Sequence, residues 1–101
     1  MEKKRPHYPL YKIKLLTQQG AYRVTRTAFA DAASDFGFIQ PLQIANVMLS
    51  LGNTDFYKSM TTYHDNKLWQ DVYRPTINDA KSYVKIQIVD DNTVIISFKR
   101  Q

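Results

Sequence analysis

The stretch from residue 55 to residue 75, DFYKSMTTYHDNKLWQDVYRP, contains the side chains of this 101-residue chain that are best suited to chemistry. A strand that only fills a core alternates apolar residues with inert polar ones. This stretch instead places cationic and amide groups beside flat aromatic rings, a combination that suits single-stranded nucleic acid. The polar groups are Lys58, Gln70 and Arg74, and the aromatic ones are Phe56, Tyr57, Tyr63, Trp69 and Tyr73.

The composition indicates one globular domain, residues 1–101, with a basic surface. Fourteen Lys and Arg residues against nine Asp and Glu residues give a formal net charge of +5, which favours RNA, DNA or an acidic protein as partner. A basic protein with no such partner is equally compatible with the charge alone. The absence of cysteine excludes disulfides, thiolate zinc sites and cysteine nucleophiles, and it is typical of the reducing cytoplasm.

Other kinds of site lack their usual sequence signals. Residues 42–51 form the longest apolar run, which is too short to cross a bilayer, and no apolar run follows the basic N terminus as in a signal peptide. The two histidines, His7 and His64, are far apart, and no paired carboxylates have the spacing of metal ligands. We therefore expect no membrane segment, no metal and no cofactor.

Helical periodicity is confined to the first half of the chain. It predicts three helices over residues 9–19, 26–36 and 41–51, which are ended by Gly20, Gly37 and Gly52. Thr25 is the expected N-cap of the second helix. Residues 1–6 have the composition of a charged, frayed terminus, and residues 21–25 that of a short strand or linker.

After Gly52 the apolar period changes to two residues, which is typical of strands. The predicted strands cover residues 56–63, 68–74, 82–89 and 93–99. Because their connectors are short and rich in turn residues, neighbouring strands should pair antiparallel. A chain whose helices come first and whose hairpins follow is expected to form an α+β fold, in which a twisted antiparallel sheet has the N-terminal helices packed on one face.

Strand parity predicts which polar residues share a face, because residues two apart in a strand point the same way. In the third predicted strand the aliphatic residues should face the helices, which leaves Tyr83, Lys85 and Gln87 facing solvent or a ligand. The side chains that could share this open face are Lys58, Met60, Gln70, Arg74, Tyr83 and Lys85. A solvated sheet face carries similar residues, and parity alone does not show that the three strands present them on the same side.

Several blocks of the sequence resemble the motility quorum-sensing regulator (MqsR) family of toxins. They are FYKSMTTY and LWQDVYRP, together with the opening MEKKRPH, YRVTRTA and the closing TVIISFK, so that the resemblance covers nearly the whole chain. It implies a RelE-like fold and the toxin of a type II toxin–antitoxin system, a metal-independent mRNA endoribonuclease that cuts GCU-like sites and inhibits growth. It also implies a cytoplasmic location and a cognate MqsA-type antitoxin that itself binds zinc and DNA.

The resemblance assigns roles to residues that parity had already grouped. The catalytic lysine, glutamine and tyrosine of the family fall on Lys58, Gln70 and Tyr83, and the nearby methionine and arginine fall on Met60 and Arg74. Lys85 joins them by parity as a candidate for substrate binding. One departure is the turn Val89–Thr93, VDDNT, where family members carry a histidine and this chain has Asp90 and Asp91.

Cleavage of RNA without a metal requires a base for the 2′-hydroxyl, a cation for the phosphate and an acid for the leaving 5′-oxygen. The expected products are a 2′,3′-cyclic phosphate and a 5′-hydroxyl. Arg74 and Lys85 suit the phosphate charge, and Lys58 suits either the base, with a lowered pKa, or a phosphate clamp. Tyr83 can protonate the leaving oxygen and Gln70 can orient the substrate, although the acid and base roles could be exchanged.

Two other functions are compatible with the same residues. A non-catalytic nucleic-acid-binding module would use the same basic and aromatic face without cleaving its ligand. Alternatively, the protein could be catalytically inactive, and its only role would be to bind the antitoxin and modulate how the antitoxin binds DNA.

Overall fold

The computed structural model describes all residues, 1–101, and folds into the predicted α+β architecture. The helices are α1 (Leu10–Gln18), α2 (Arg26–Phe36) and α3 (Pro41–Ser50). The strands are β1 (Glu2–Lys3), β2 (Tyr22–Val24), β3 (Phe56–Thr61), β4 (Trp69–Tyr73), β5 (Thr76–Ile77), β6 (Ala80–Val89) and β7 (Asn92–Arg100). None of the helices is long and apolar enough to cross a membrane.

Local capping chemistry explains where α2 begins and ends. The Thr25 hydroxyl accepts a hydrogen bond from the backbone N–H of Ala28 at 3.1 Å, and Gly37 adopts a left-handed φ of 70° after the last turn. Both predicted boundaries are confirmed. The predicted end of α3 is wrong, because the helix stops at Ser50 and Gly52 is extended with φ −116° instead of forming a left-handed cap.

The seven strands form one sheet in the order β1-β3-β4-β6-β7-β2, with β5 paired to β6. The four long strands pair antiparallel, as predicted. Strand β2 departs from the prediction because it runs parallel to β7. A hairpin forces its two strands to be antiparallel, but β2 and β7 are joined by most of the chain, so that no turn determines their relative direction.

The N-terminal residues are ordered, and the prediction that residues 1–6 are frayed is wrong. Strand β1 pairs antiparallel with β3, placing Glu2 opposite Met60 and Lys3 opposite Ser59. The segment after β1 is held by the fully buried Asp71, whose carboxyl oxygens accept backbone N–H groups of His7 at 3.1 and 3.0 Å and of Tyr8 at 2.9 Å. A buried carboxyl requires such partners, and here the N-terminal segment supplies them.

All three helices pack on one face of the sheet, as predicted, and the core lies between them. The core combines residues from each helix with the inward residues of four strands: Ile13, Ala28, Ala32, Ile44, Met48, Leu51, Tyr73, Ile77, Val84, Ile86, Ile95 and Phe98. Val84 and Ile86 are fully buried, which confirms the predicted parity of β6. The other face of the sheet therefore carries the polar residues.

Within this core the hydroxyl of Tyr73 has no hydrogen-bond partner, although the residue is only 1% exposed. Burial, followed by Asp71 and Asp55, raises the pKa of Tyr73 well above its usual range, so the group remains a neutral phenol. Removing an unsatisfied buried hydroxyl removes a desolvation cost and leaves the ring packing in place. We therefore expect Tyr73→Phe to raise the free energy of unfolding by about 1 kcal/mol.

Thermal unfolding measures this change, which should raise the melting temperature by about 4–8 °C in a domain of this size. A lower melting temperature would contradict the expectation and would mean that the hydroxyl has a partner, such as a buried water. Because Tyr73 faces the helices, the substitution should leave the chemistry of the open face unchanged.

Candidate active site

The strand register places the predicted polar residues of three strands on one face. Lys58 of β3 lies opposite Val72 of β4, which lies opposite Lys85 of β6. Residues directly opposite each other in neighbouring strands point the same way, and neighbouring strands are about 4.8 Å apart. The two lysines therefore share a face about two strand spacings apart. Met60 lies opposite Gln70 in the next row of the same face, so the predicted grouping is confirmed.

Lys58 forms a close ion pair. Its Nζ lies 2.6 Å from Oε2 of Glu2, and the side chains are 18% and 52% exposed respectively. The hydrogen bond to Glu2 is the main reason why the pKa of Lys58 is raised. Lys58 is therefore an ammonium group at neutral pH, which suits a phosphate clamp better than a base.

Tyr83 of β6 reaches the same place. Its hydroxyl donates to Sδ of Met60 at 3.9 Å, and the Nζ atoms of Lys85 and Lys99 lie 5.7 and 5.5 Å from the centre of its ring. Burial raises the pKa of Tyr83, against the opposing effect of the Lys58 charge. The group is therefore a protonated phenol at neutral pH and can act as a hydrogen-bond or proton donor.

Lys85 stands among other cations. Burial is the main reason why the pKa of Lys85 is lowered, and the charges of Lys99 and Lys58 lower it further. No salt bridge connects Lys85 to an acidic residue. Such a group gains by binding an anion, because the anion offsets the repulsion between the lysines.

Gln70 is fixed by a neighbouring amide. It is 9% exposed, and its Nε2 donates to Oε1 of Gln87 at 3.0 Å. An amide does not titrate, so Gln70 can orient a bound group without taking part in proton transfer. It lies opposite Met60, whose Sδ accepts the hydrogen bond of the Tyr83 hydroxyl.

A β-bulge brings Tyr57 to the same face. The register shifts between Phe56 and Lys58, which leaves Tyr57 as the extra residue of β3. The guanidinium carbon of Arg74 lies 4.3 Å from the centre of its ring, and Nε of Arg74 donates to Oε1 of Gln101 at 2.9 Å. Arg74 therefore marks one end of the open face, beside an aromatic ring that is 38% exposed.

Three residues of this face were missed or left undecided by the sequence. Glu2 belongs to a segment predicted to be frayed, and a strand of two residues is too short to show any periodicity. The bulge breaks the alternation of β3, so parity does not determine the side of Tyr57. Lys99 lies opposite Tyr83, and pairing the alternation of β7 with that of β6 would have placed Lys99 on the open face.

The remaining candidates lie elsewhere. Trp69 is half-buried under the N-terminal segment, with Lys3 4.2 Å from its ring centre and His7 stacked on it at 5.6 Å, and it lies outside the core. Tyr73 is buried in the core. Asp90 and Asp91 form the two-residue turn between β6 and β7, with φ values of 51° and 56°. No group of three or more His, Cys, Asp or Glu side chains converges where it could hold a metal.

Comparison with known proteins agrees with the resemblance seen in the sequence blocks. The family model described as motility quorum-sensing regulator, toxin of MqsA, matches residues 5–100. The chain is also 42% identical over 104 residues to the mRNA interferase toxin MqsR of Escherichia coli (strain K12), in an alignment that covers 100% of both proteins. Since both matches extend over nearly the whole domain, the chain belongs to the MqsR toxin family.

Proposed function

We propose that this protein is the toxin of a type II toxin–antitoxin system and that it cleaves messenger RNA at short GCU-like sites. The observation that carries the proposal is the convergence of Lys58, Met60 and Tyr83 on the sheet face that no helix covers. Membership of the MqsR toxin family supports it, as does the similarity to the E. coli relative, an mRNA interferase toxin.

The proposed catalytic residues are Lys58, Gln70 and Tyr83, and they act on a phosphodiester of single-stranded RNA. The Lys58 ammonium binds a non-bridging phosphate oxygen and stabilises the charge that develops on it. The Tyr83 phenol protonates the 5′-oxygen as it leaves. Gln70, which is held by Gln87, orients the ribose or the phosphate.

Met60, Arg74 and Lys85 are the proposed substrate-binding residues. Lys85 extends the positive charge of the face across β6, and Arg74 offers a planar guanidinium to a neighbouring phosphate. The ring of Tyr57 and the thioether of Met60 provide apolar contacts for bases of a single strand. The products are a 2′,3′-cyclic phosphate and a 5′-hydroxyl, and the RNA supplies the nucleophile, so the reaction requires no metal.

The proposed partner protein is a cognate antitoxin of the MqsA type, in keeping with the description of the family as toxin of MqsA. The proposed location is the cytoplasm, where messenger RNA is translated. Inhibition of growth follows from the loss of translatable messenger RNA.

A non-catalytic RNA-binding module is the second candidate. It is favoured by the ion pair of Lys58, which makes this lysine a permanent cation rather than a base. Such a module would lose affinity gradually with each cation removed. On a single strand, the logarithm of its binding constant should fall with the logarithm of the salt concentration with a slope of about −0.7 per phosphate contact.

Lys58→Ala separates the two candidates. If Lys58 stabilises the reacting phosphate, the substitution should lower the cleavage rate about 10²- to 10³-fold. The measurement is single-turnover cleavage of a short RNA that contains one GCU site, beside the affinity of the same RNA at several salt concentrations. Lys12→Ala removes the same charge from α1, on the helical side of the sheet, and serves as the matched control. Equal cleavage by both variants would exclude Lys58 from the reaction.

A further inference from the structure

The open face holds an acidic group as well as its cations. Glu2 is the only glutamate among the nine acidic residues of the chain. Its carboxylate forms an ion pair with Lys58. Its partner in the neighbouring strand is Met60, whose thioether accepts a hydrogen bond from the Tyr83 hydroxyl. Building on the function proposed above, we propose that the carboxylate of Glu2 is the general base that takes the proton of the 2′-hydroxyl.

The other polar groups of the site do not readily accept a proton. Lys58 is an ammonium group whose pKa is raised, and Tyr83 is a phenol whose pKa is raised. Gln70 is an amide and does not titrate in the physiological range. Lys85 has a lowered pKa, but it lies across β4 from Lys58 and is engaged with no acidic residue, so its expected role is to bind the phosphate.

The backbone holds Glu2 where a base is needed. The pairing of β1 with β3 places the Glu2 side chain on the face of Met60, since opposite residues in paired strands point the same way. The hydrogen bonds from His7 and Tyr8 to Asp71 anchor the segment that follows β1. The carboxylate is thus fixed beside Lys58 from two sides, while its exposure of 52% leaves room for a substrate.

The charges around Glu2 keep it in the ionised form that a base requires. The hydrogen bond from Lys58 is the main cause that lowers the pKa of Glu2, and Lys58, Lys4 and the amino group of Met1 contribute charge in the same direction, against a smaller opposing effect of burial. The other titratable group that senses the carboxylate is Tyr83, whose pKa Glu2 raises. Because the pKa is lowered, Glu2 is a carboxylate at neutral pH and loses its charge only in acid.

The proton of the 2′-hydroxyl moves to an oxygen of Glu2, and the 2′-oxygen forms a bond to phosphorus. The bond between phosphorus and the 5′-oxygen breaks, and the phenol of Tyr83 donates its proton to that oxygen. Solvent then removes the proton from the Glu2 carboxyl and returns one to the Tyr83 phenolate, so that both groups are restored.

Glu2→Gln tests the proposal, since the amide retains the shape and a hydrogen-bonding oxygen but does not accept the proton. We expect single-turnover cleavage to fall about 10²-fold or more, while affinity for RNA stays the same or rises. Glu2→Asp should retain part of the rate. The cleavage of the wild-type protein should decrease in acid as Glu2 is protonated, and this acid limb should be missing in Glu2→Gln, within the pH range where circular dichroism shows both proteins folded.

A modified substrate separates the base from the acid. An RNA with sulfur in place of the bridging 5′-oxygen has a leaving group that needs no protonation. On this substrate Tyr83→Phe should recover most of its lost rate, whereas Glu2→Gln should remain slow. If Glu2→Gln recovers as well, the carboxylate acts on the leaving group and the proposal is wrong.

Wild-type or higher activity of Glu2→Gln would also overturn the proposal and would show that Glu2 only neutralises Lys58. That result would leave the ribonuclease function intact provided that Lys58→Ala and Tyr83→Phe are inactive. Full activity of Lys58→Ala and Tyr83→Phe would instead remove this site from the reaction, together with the role of Glu2, and intact RNA with the wild-type protein would remove the proposed function itself.

Discussion

Tyr83→Phe should lower the rate of RNA cleavage about 10²- to 10⁴-fold, the range expected for the loss of a general acid. The substitution removes one oxygen, which lies 3.9 Å from Sδ of Met60, and leaves the ring near Lys85 and Lys99. Because burial raises the pKa of this phenol, the proton is present at neutral pH and available to the leaving group. Affinity for RNA should change little, since no charge is removed.

Tyr73→Phe is the matched control for this prediction. It removes the same atom from a tyrosine of the neighbouring strand that faces the helices, and it should cleave RNA at the wild-type rate. Equal rates for Tyr83→Phe and Tyr73→Phe would exclude the phenol of Tyr83 from the reaction. A loss of affinity that accounts for the whole defect of Tyr83→Phe would assign it to substrate binding instead.

Asp71→Ala should destabilise the fold by about 3 kcal/mol, because it leaves two partly buried backbone N–H groups without their partner and opens a cavity. Those N–H groups belong to His7 and Tyr8, and Asp71 itself is fully buried. A cost of this size is a large part of the stability of a small domain. Urea unfolding of the two proteins measures the difference.

Asp71→Ala also tests how the N-terminal segment is held. Below its melting temperature the variant should cleave RNA more slowly than the wild type, because β1 and Glu2 are less firmly positioned on the open face. Asp35→Ala is the control, since Asp35 accepts one backbone N–H, that of Arg100, in an exposed hydrogen bond and its loss should cost less. Equal stability of the Asp71→Ala and Asp35→Ala variants would contradict the role assigned to Asp71.

The parts of the fold that the sequence predicted are those with local causes. Thr25 and Gly37 determine the ends of α2 within a few residues of themselves, and the alternation of β6 follows from which of its residues are apolar. Parity likewise grouped Lys58, Gln70 and Tyr83 before any register was known, because the period of a strand is itself local.

The parts that the sequence did not predict depend on distant contacts. Glu2 and Lys58 are 56 residues apart, and β1 becomes a strand only because the edge of β3 is available to it. The buried carboxyl of Asp71 needs donors that are 63 and 64 residues away. The bulge at Tyr57 determines the side of this residue through a shift in pairing with β4, which no pattern within β3 reveals.

Cleavage of RNA in the absence of metal ions is the decisive property of the proposed site. The experiment incubates the folded protein with a messenger RNA in excess EDTA and maps the ends of the fragments, with Lys58→Ala beside the wild type. We expect cuts at one recurring GCU-like triplet that leave 5′-hydroxyl ends, and intact RNA with the variant. Intact RNA from wild-type protein that binds it, or cleavage that EDTA abolishes, would show that the open face of the sheet is not a metal-independent ribonuclease.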